Sequence, residues 1–450
     1  MEGTSKSPLR VIELFAGVGG FRGGLEGFAG NSVNDEKRYE VVWSNQFEPS
    51  TKRQHASQVY EARWGGANHH NIDINEVLSD PLRWQSVLDA KADVLVGGFP
   101  CQDYSVSESS TAAAGIRGKK GVLWWSIHEM LTRHQSVGQP VKHLVLENVD
   151  RLLKSPTKYR GRDFAIILAS LNALGYAVEW RVVNAADYGF AQRSKRVFMV
   201  AHHSGTNVYK RLAAALKKPA SDLPSPHKLG VLPRALPCIS ERSVGVFNLG
   251  TSVLGVQDAF SLTAGESSPF KGMGLIVDSL VVTADCAPPA LMKYSEFTGM
   301  GQPLTLGDVV GKTDPAAIPE GFFIDDAEVS KWKYCKDGKT AQSTSASGHT
   351  HTPTQGAISF PDPLDRPVRT IITAESSSSA SCFNHVIKQA DGRLRRLVPD
   401  ELDELNGFPR GFTAAAGISD TKRAFLMENA LVVGIVRRIG QALDEACQAE

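Results

Sequence analysis

Gly97-Gly98-Phe99-Pro100-Cys101-Gln102 places a thiol directly after the apolar run Val94-Leu95-Val96. That run reads as a buried parallel strand, and ligands of open α/β sheets bind outside the carboxyl ends of such strands. Cys101 is therefore a candidate nucleophile, although a free cysteine taken alone packs as a small apolar residue. Its company decides between the two readings. Forty-six residues on, the apolar run His143 to Leu146 ends in Glu147-Asn148-Val149, which brings a carboxyl to the same sheet edge. The run Val197 to Val200 is preceded by Gln192-Arg193-Ser194-Lys195-Arg196, so cationic donors approach that edge from a third strand. A thiol, a carboxyl and a guanidinium suit nucleophilic addition with stabilisation of the charge that develops.

A second group of residues suits a bound cofactor. Phe15-Ala16-Gly17-Val18-Gly19-Gly20 follows the first apolar run and opens a helix, where glycines let a ligand approach backbone N–H groups. The pattern fits a dinucleotide fingerprint only loosely, with Arg22 where the third glycine belongs, so a nicotinamide dehydrogenase competes. That rival has no use for Cys101 or Glu147. The next run leads into Gln46-Phe47-Glu48, and a carboxylate there can accept two hydrogen bonds from ribose hydroxyls. Asp73, in Asn71-Ile72-Asp73-Ile74, suits an adenine amino group or, equally, the cap of a helix.

These residues must be positioned by alternating strands and helices. From Leu9 to about His203 apolar runs alternate with helical stretches, which predicts an α/β fold with a doubly wound, mostly parallel sheet. After Ser204 the chain turns rich in Gly, Pro, Ser and Thr with short β-like runs, and helical patterning resumes from Lys422 to Glu445. The expected division is a catalytic domain at 1–204, completed by 415–450, with 205–414 as a loop-rich second domain and hinge.

Composition excludes several classes. The formal net charge of +1 gives no overall basic footprint, so binding of a polyanion rests on local clusters. Six cysteines without a CxxC pair argue against a zinc site and a disulfide framework, and point to a reducing, intracellular compartment. No apolar run is long enough for a membrane span and the start, Met1 to Arg10, is polar, so no targeting to a membrane is expected.

Taken together these residues resemble the DNA cytosine-5 methyltransferases that use S-adenosylmethionine. Phe15 to Gly20 is similar to the family's first motif, Glu48 to its second, Asp73 to its third, Pro100-Cys101-Gln102 to its nucleophile turn and Glu147-Asn148-Val149 to its acid motif. Gln192 to Arg196 resembles its glutamine and arginine motif, Arg395 to Pro409 its ninth, and Glu428 to Val432 its last. The chain departs at Ser194, where the family has arginine, at Glu428, where it has glycine, and at Glu13, where it has aspartate. Arg196 and Asn429 are kept; looser geometry is expected at Glu13.

The resemblance implies a Rossmann-like methyltransferase domain with a mixed, mostly parallel sheet and a smaller target recognition domain. It implies S-adenosyl-L-methionine as methyl donor, held by Phe15, Gly17, Gly19, Gly20, Glu48, Asp73, Pro100, Leu123 and Asn429, with Cys101, Glu147 and Arg196 catalytic and no metal. The substrate would be a cytosine rotated out of double-stranded DNA. The stretch from Gln102 to Gly121, polar and then basic, suits a loop that closes on DNA. His349 to Thr352 could touch bases. A monomer in the cytoplasm, bound to the nucleoid, follows from the same resemblance, as does a restriction or defence system with a partner nuclease. Methylation of RNA, or an inactive DNA-binding homologue, are the alternatives.

Overall fold

The computed structural model describes residues 7–28, 38–99, 123–219, 223–238, 244–250, 252–285, 287, 302–337, 343–344, 350–351, 357–371, 375, 377–380, 382, 384–415 and 417–448. Pro100, Cys101, the stretch from Gln102 to Gly121, His349 and Thr352 lie outside them; of His351 only the backbone is described.

Runs without a polar break become the central strands. β1 (Leu9–Leu14), β2 (Tyr39–Asn45), β3 (His69–His70), β4 (Val94–Gly98) and β5 (His143–Val149) form the parallel part of a ten-stranded sheet. β6 (Tyr176–Asn184), β7 (Lys195–His203), β8 (Gly245–Asn248), β9 (Met273–Val277) and β10 (Leu280–Ala284) continue it with antiparallel pairs. The order is β3-β2-β1-β4-β5-β7-β6-β9-β10-β8. The α/β class with a mixed sheet is thus as expected. Because the chain runs outward from β1 to β2 and β3, then returns to β4 on the other flank, strand order reverses between β1 and β4. A crevice at that reversal is where open α/β sheets bind ligands.

The sheet is wider than composition indicated. Met273 to Ile276, in a stretch assigned by texture to a second domain, pairs along β6 in the register Val178↔Ile276 to Arg181↔Met273. Gly274 sits under Trp180, whose ring would lie 2.1 Å from any Cβ there, so only glycine lets the strand close up. β9 and β10 are joined through Asp278 and Ser279, both with positive φ (48° and 68°), the twist a two-residue hairpin requires.

The domain boundaries are corrected accordingly. One compact unit takes Met1–Asn184, Lys195–Met292 and Ile435–Glu450; the other takes Ala185–Ser194 and Lys293–Gly434. The break expected at 204 therefore falls near 292, and the carboxyl-terminal completion begins at 435, not 415. Long-range strand pairing decides this, and composition does not report it. The helix Val433–Gln448 enters the first unit from Ile435 onward. There Tyr39 donates to the Gly440 carbonyl at 2.6 Å and Arg38 pairs with Asp444 at 2.7 Å.

The second unit is built on ionic and amide contacts as much as on apolar ones. Arg395 meets Glu401 through two buried 2.8 Å bonds, and Asp362 receives Arg369. Gln192 donates to Asn406 at 2.9 Å, and Asn406 donates to the Met427 carbonyl at 3.0 Å, all three residues buried. Two motif residues far apart in sequence thus form a structural joint of this unit. Among the described residues no helix is long and apolar enough to cross a membrane.

Candidate active site at the carboxyl edge of the sheet

The turn after β1 is shaped by three residues of positive φ: Phe15 at 53°, Gly17 at 56° and Gly19 at 86°. Gly19 is hemmed in, since a Cβ there would lie 2.2 Å from the Trp64 ring. Gly17 is different: among the described residues a Cβ would meet nothing within 4 Å. The turn therefore opens onto space on the side of Gly17, and its N–H is held by Gln46, whose Oε1 accepts at 2.8 Å. The helix Gly20–Leu25 follows.

Glu13 is held, not loosened. Fully buried, it accepts from the Tyr60 hydroxyl at 2.9 Å and from the Arg22 N–H at 3.2 Å. Burial pushes its carboxyl from 4.5 up to about 7, against the pull of those two hydrogen bonds and the Arg22 charge. The longer side chain is accommodated by a clamp beneath the turn.

Exits of β2 and β3 are laced together by amides. Asn45 donates to the carbonyls of His70 and Ile72 at 2.9 and 2.8 Å, and Asn71 donates to the Gln46 carbonyl at 2.5 Å. This brings the segments carrying Glu48 and Asp73 side by side. Gln54 fixes the Glu48 backbone at both N–H and carbonyl, while the half-buried Glu48 carboxylate has no partner among the described residues. Asp73 caps the helix Ile74–Ser79, its Oδ1 accepting from the Asn75 N–H at 2.8 Å and side-chain amide at 2.9 Å. The capping role foreseen for Asp73 is real, and it occupies one oxygen.

β4 ends at Gly98, just before the candidate nucleophile in sequence, and Phe99 is the last described residue there. Phe99 is buried and packs on Trp124 at 5.4 Å between ring centres, and its carbonyl accepts from the Asn148 side chain at 2.7 Å. The helix Leu123–Ser136 begins at Leu123, which is half-buried against the same apolar core as Phe15.

At the next strand the candidate acid and base partners meet. β4 and β5 pair Gly98 with Glu147, and β5 and β7 pair Glu147 with Phe198 and Val149 with Arg196. Arg196 is thus diagonal to Glu147, and its Nε lies 2.9 Å from Oε1. Gly98 makes room for this pair, because a Cβ there would be 3.0 Å from Oε2. Burial raises the pKa of Glu147, and the Arg196 charge and hydrogen bond partly offset that rise. The site so holds a carboxyl biased toward its protonated form beside a permanent cation.

Side chains alternate around Arg196. Gln192 and Ser194 are buried, Arg193 and Lys195 exposed. Arg193 consequently does not stand in for the arginine missing at Ser194, and the Ser194 hydroxyl is buried with no hydrogen-bond partner in the structure. Asn429 ends the helix Asp420–Glu428 in the second unit, exposed, donating to the Phe425 carbonyl at 3.0 Å. Among residues that sequence reasoning did not single out, Gln46, Asn45 and Asn148 do most of the positioning. Short polar side chains at strand ends were the available signal.

The strand-order reversal thus has a glycine turn on one strand, a carboxylate without a partner among the described residues on the next, and a carboxyl–guanidinium pair beyond it, the layout of an α/β group-transfer fold. Residues 9–263 match the family model described as C-5 cytosine-specific DNA methylase. The type II methyltransferase M.Sau3AI of Staphylococcus aureus is 39% identical over 440 residues, covering 97% of this chain and 96% of that one. M.HpaII of Haemophilus parainfluenzae is 32% identical over 199 residues, 44% of this chain and 47% of its own. The crystal structures of the S. pombe Dnmt2 methyltransferase and of a Spodoptera frugiperda DNMT2 mutant share the fold, with TM-scores of 0.54 and 0.55 at 13% and 12% identity. They cover 98% and 97% of this chain and 99% of each of theirs. The protein belongs to the C-5 cytosine-specific DNA methylase family.

Proposed function

We propose that this enzyme transfers a methyl group from S-adenosyl-L-methionine to carbon 5 of a cytosine rotated out of duplex DNA, within a short recognition sequence, as the modification partner of a restriction or related defence system. The observation that carries the reading is the Glu147–Arg196 pair, 2.9 Å apart, with Glu147 paired to Gly98 at the end of β4, the strand that precedes Cys101 in sequence. Similarity to a type II methyltransferase along nearly the whole chain supports it.

The residues present suit the methyl donor. Gly17 borders open space, the Glu48 carboxylate is unengaged for a ribose diol, Asp73 keeps one oxygen for an amino group, and Phe15 and Leu123 offer half-buried apolar walls. When bound, the sulfonium supplies an electrophilic methyl group.

Chemistry at the base follows from electron flow. Carbon 5 of cytosine is too weak a nucleophile unaided, so the Cys101 thiolate adds to carbon 6. The electron pair moves toward ring nitrogen 3, where protonated Glu147 donates, while Arg196 binds the exocyclic oxygen. Carbon 5, now electron-rich, would take the methyl group as its bond to the sulfonium sulfur breaks and leaves a neutral thioether; the nitrogen 3 proton returns to Glu147, a base removes the carbon 5 proton, and the carbon 6–sulfur bond breaks, returning the thiolate. Rotating the base out of the stack costs about a few kcal/mol, which contacts to the DNA must offset.

Residues of the second unit between the eighth and ninth motifs are proposed to read base edges from the major groove. Bisulfite sequencing of DNA from cells expressing the protein tests the whole reading. Protection of cytosines within one short sequence is expected, and complete conversion everywhere would overturn it. In vitro, DNA carrying 5-fluorocytosine should trap a covalent adduct that Cys101→Ala fails to form.

A further inference from the structure

The stretch that follows Glu147 on the same strand is unlike the rest of the chain in charge. Residues 150–162 hold Arg151, Lys154, Lys158, Arg160 and Arg162 against the single acid Asp150, whereas all 450 residues carry a net +1. Arg162 is buried and turned to Asp163. The other four cations are exposed, and none has a carboxylate partner among the described residues. Lys195, whose side chain is 59% exposed, adjoins this stretch through Asp150 at 3.6 Å.

The segment carrying these cations is tied down at several points. Leu152 and Leu153 are buried in the core, and Ser268 donates to the Leu153 carbonyl at 2.5 Å. Ser155 donates to Asp163 at 2.6 Å, while its carbonyl accepts from the N–H groups of Gly161 and Asp163 at 3.2 and 3.1 Å. Gly265 donates to the Lys158 carbonyl at 3.2 Å. These four exposed cations on an anchored segment have no carboxylate partner among the described residues, and Lys158 lies over the Tyr159 ring at 5.1 Å, so their charge is open to an anion. The segment begins three residues beyond Glu147, at the edge where the reacting base must sit. The repeated phosphates of a DNA backbone are the anion that several separate cations can meet at once.

We infer that Arg151, Lys154, Lys158 and Arg160 form a phosphate-binding wall that seats the DNA backbone beside the catalytic edge, independently of base sequence. The inference rests on the proposed action on DNA. Phosphate neutralisation releases condensed counterions, so the logarithm of affinity falls with the logarithm of salt by about 0.9 per contact.

The test measures binding of a fluorescent duplex by anisotropy across a salt series, for the full chain and for R151A/K154A/K158A/R160A. A slope lower by about 3.6 is expected in the variant, so that with the two lines meeting near 1 M salt its affinity is down about 10³- to 10⁴-fold near 0.1 M. The charge-keeping variant R151K/K154R/K158R/R160K should restore the slope. Melting temperature and methyl-donor binding, measured alongside, report any loss of fold; a quadruple variant that fails to fold is replaced by the single substitutions K158A and R160A, each expected to lower the slope by about 0.9. An unchanged slope in folded variants overturns the wall. Failure of the wild-type chain to bind DNA at all would overturn the function proposed above instead.

Discussion

The side-chain amide of Asn148 donates a 2.7 Å hydrogen bond to the backbone carbonyl of Phe99. One strand end thereby fixes where the neighbouring strand releases its chain toward Cys101. Asn148 is buried, so its loss leaves a buried carbonyl short of a donor, a cost of about 1–3 kcal/mol. Asn148→Asp keeps the shape but removes the donor. It should lower kcat with little change in KM for the methyl donor; an unaltered kcat would show that the amide does not position the turn.

Glu147→Gln keeps the hydrogen bond to Arg196 but removes the dissociable proton. A fall in kcat of about 10²-fold or more is expected from loss of general acid catalysis, with methyl-donor affinity retained. Single-turnover rates check this directly.

The pH profile carries a second signature of that pair. Burial raises the Glu147 pKa and Arg196 lowers it again, so Arg196→Ala removes the opposing influence and lets the pKa rise further. If protonated Glu147 is the active form, activity falls as pH rises through its pKa. The alkaline limb of Arg196→Ala should therefore lie at higher pH than in the wild type, on a lower maximum. A limb that moves to lower pH, or does not move, contradicts the assignment.

Glu13 makes folding stability depend on pH. Its folded pKa of about 7 exceeds the ordinary 4.5, so the neutral form is favoured in the fold. Its contribution is intact below pH 4.5 and is lost progressively up to about pH 7, by about 3 kcal/mol. Denaturant midpoints at pH 5 and pH 8 should differ less in Glu13→Gln than in the wild type. An equal difference would mean that other groups set the slope.

Gly17 and Gly19 should separate binding from folding. Alanine at either position adopts a positive φ at a cost of roughly 1–2 kcal/mol. At Gly19 the methyl group also meets Trp64 at 2.2 Å, so Gly19→Ala should lower the melting temperature markedly. Among the described residues Gly17→Ala meets no protein atom within 4 Å and should mainly weaken methyl-donor binding, measured by calorimetry.

Much of this was legible in the chain because it is local. Apolar runs such as Val94-Leu95-Val96 mark central strands by themselves, and a residue directly after such a run, like Glu147, must emerge at that strand's carboxyl end. The glycine turn was legible for the same reason, since a strand-to-helix reversal needs the positive φ found at Gly17 and Gly19. Asp73 showed where locality stops: its sequence fitted a cap and an adenine contact equally, and the structure shows the cap.

By itself, then, the sequence determined the α/β class, the strand ends at which the candidate residues emerge and the family's motifs in their order. Tertiary structure alone decided that Arg196 lies diagonal to Glu147, that Arg193 faces away from buried Ser194, and that Asn148 holds Phe99. It also decided that residues 245–284 extend the first sheet, and that Gln192 closes on Asn406. The physical reason is shared. Each of these depends on register between segments distant in the chain, which hydrogen-bond ladders and burial select only once the strands are side by side.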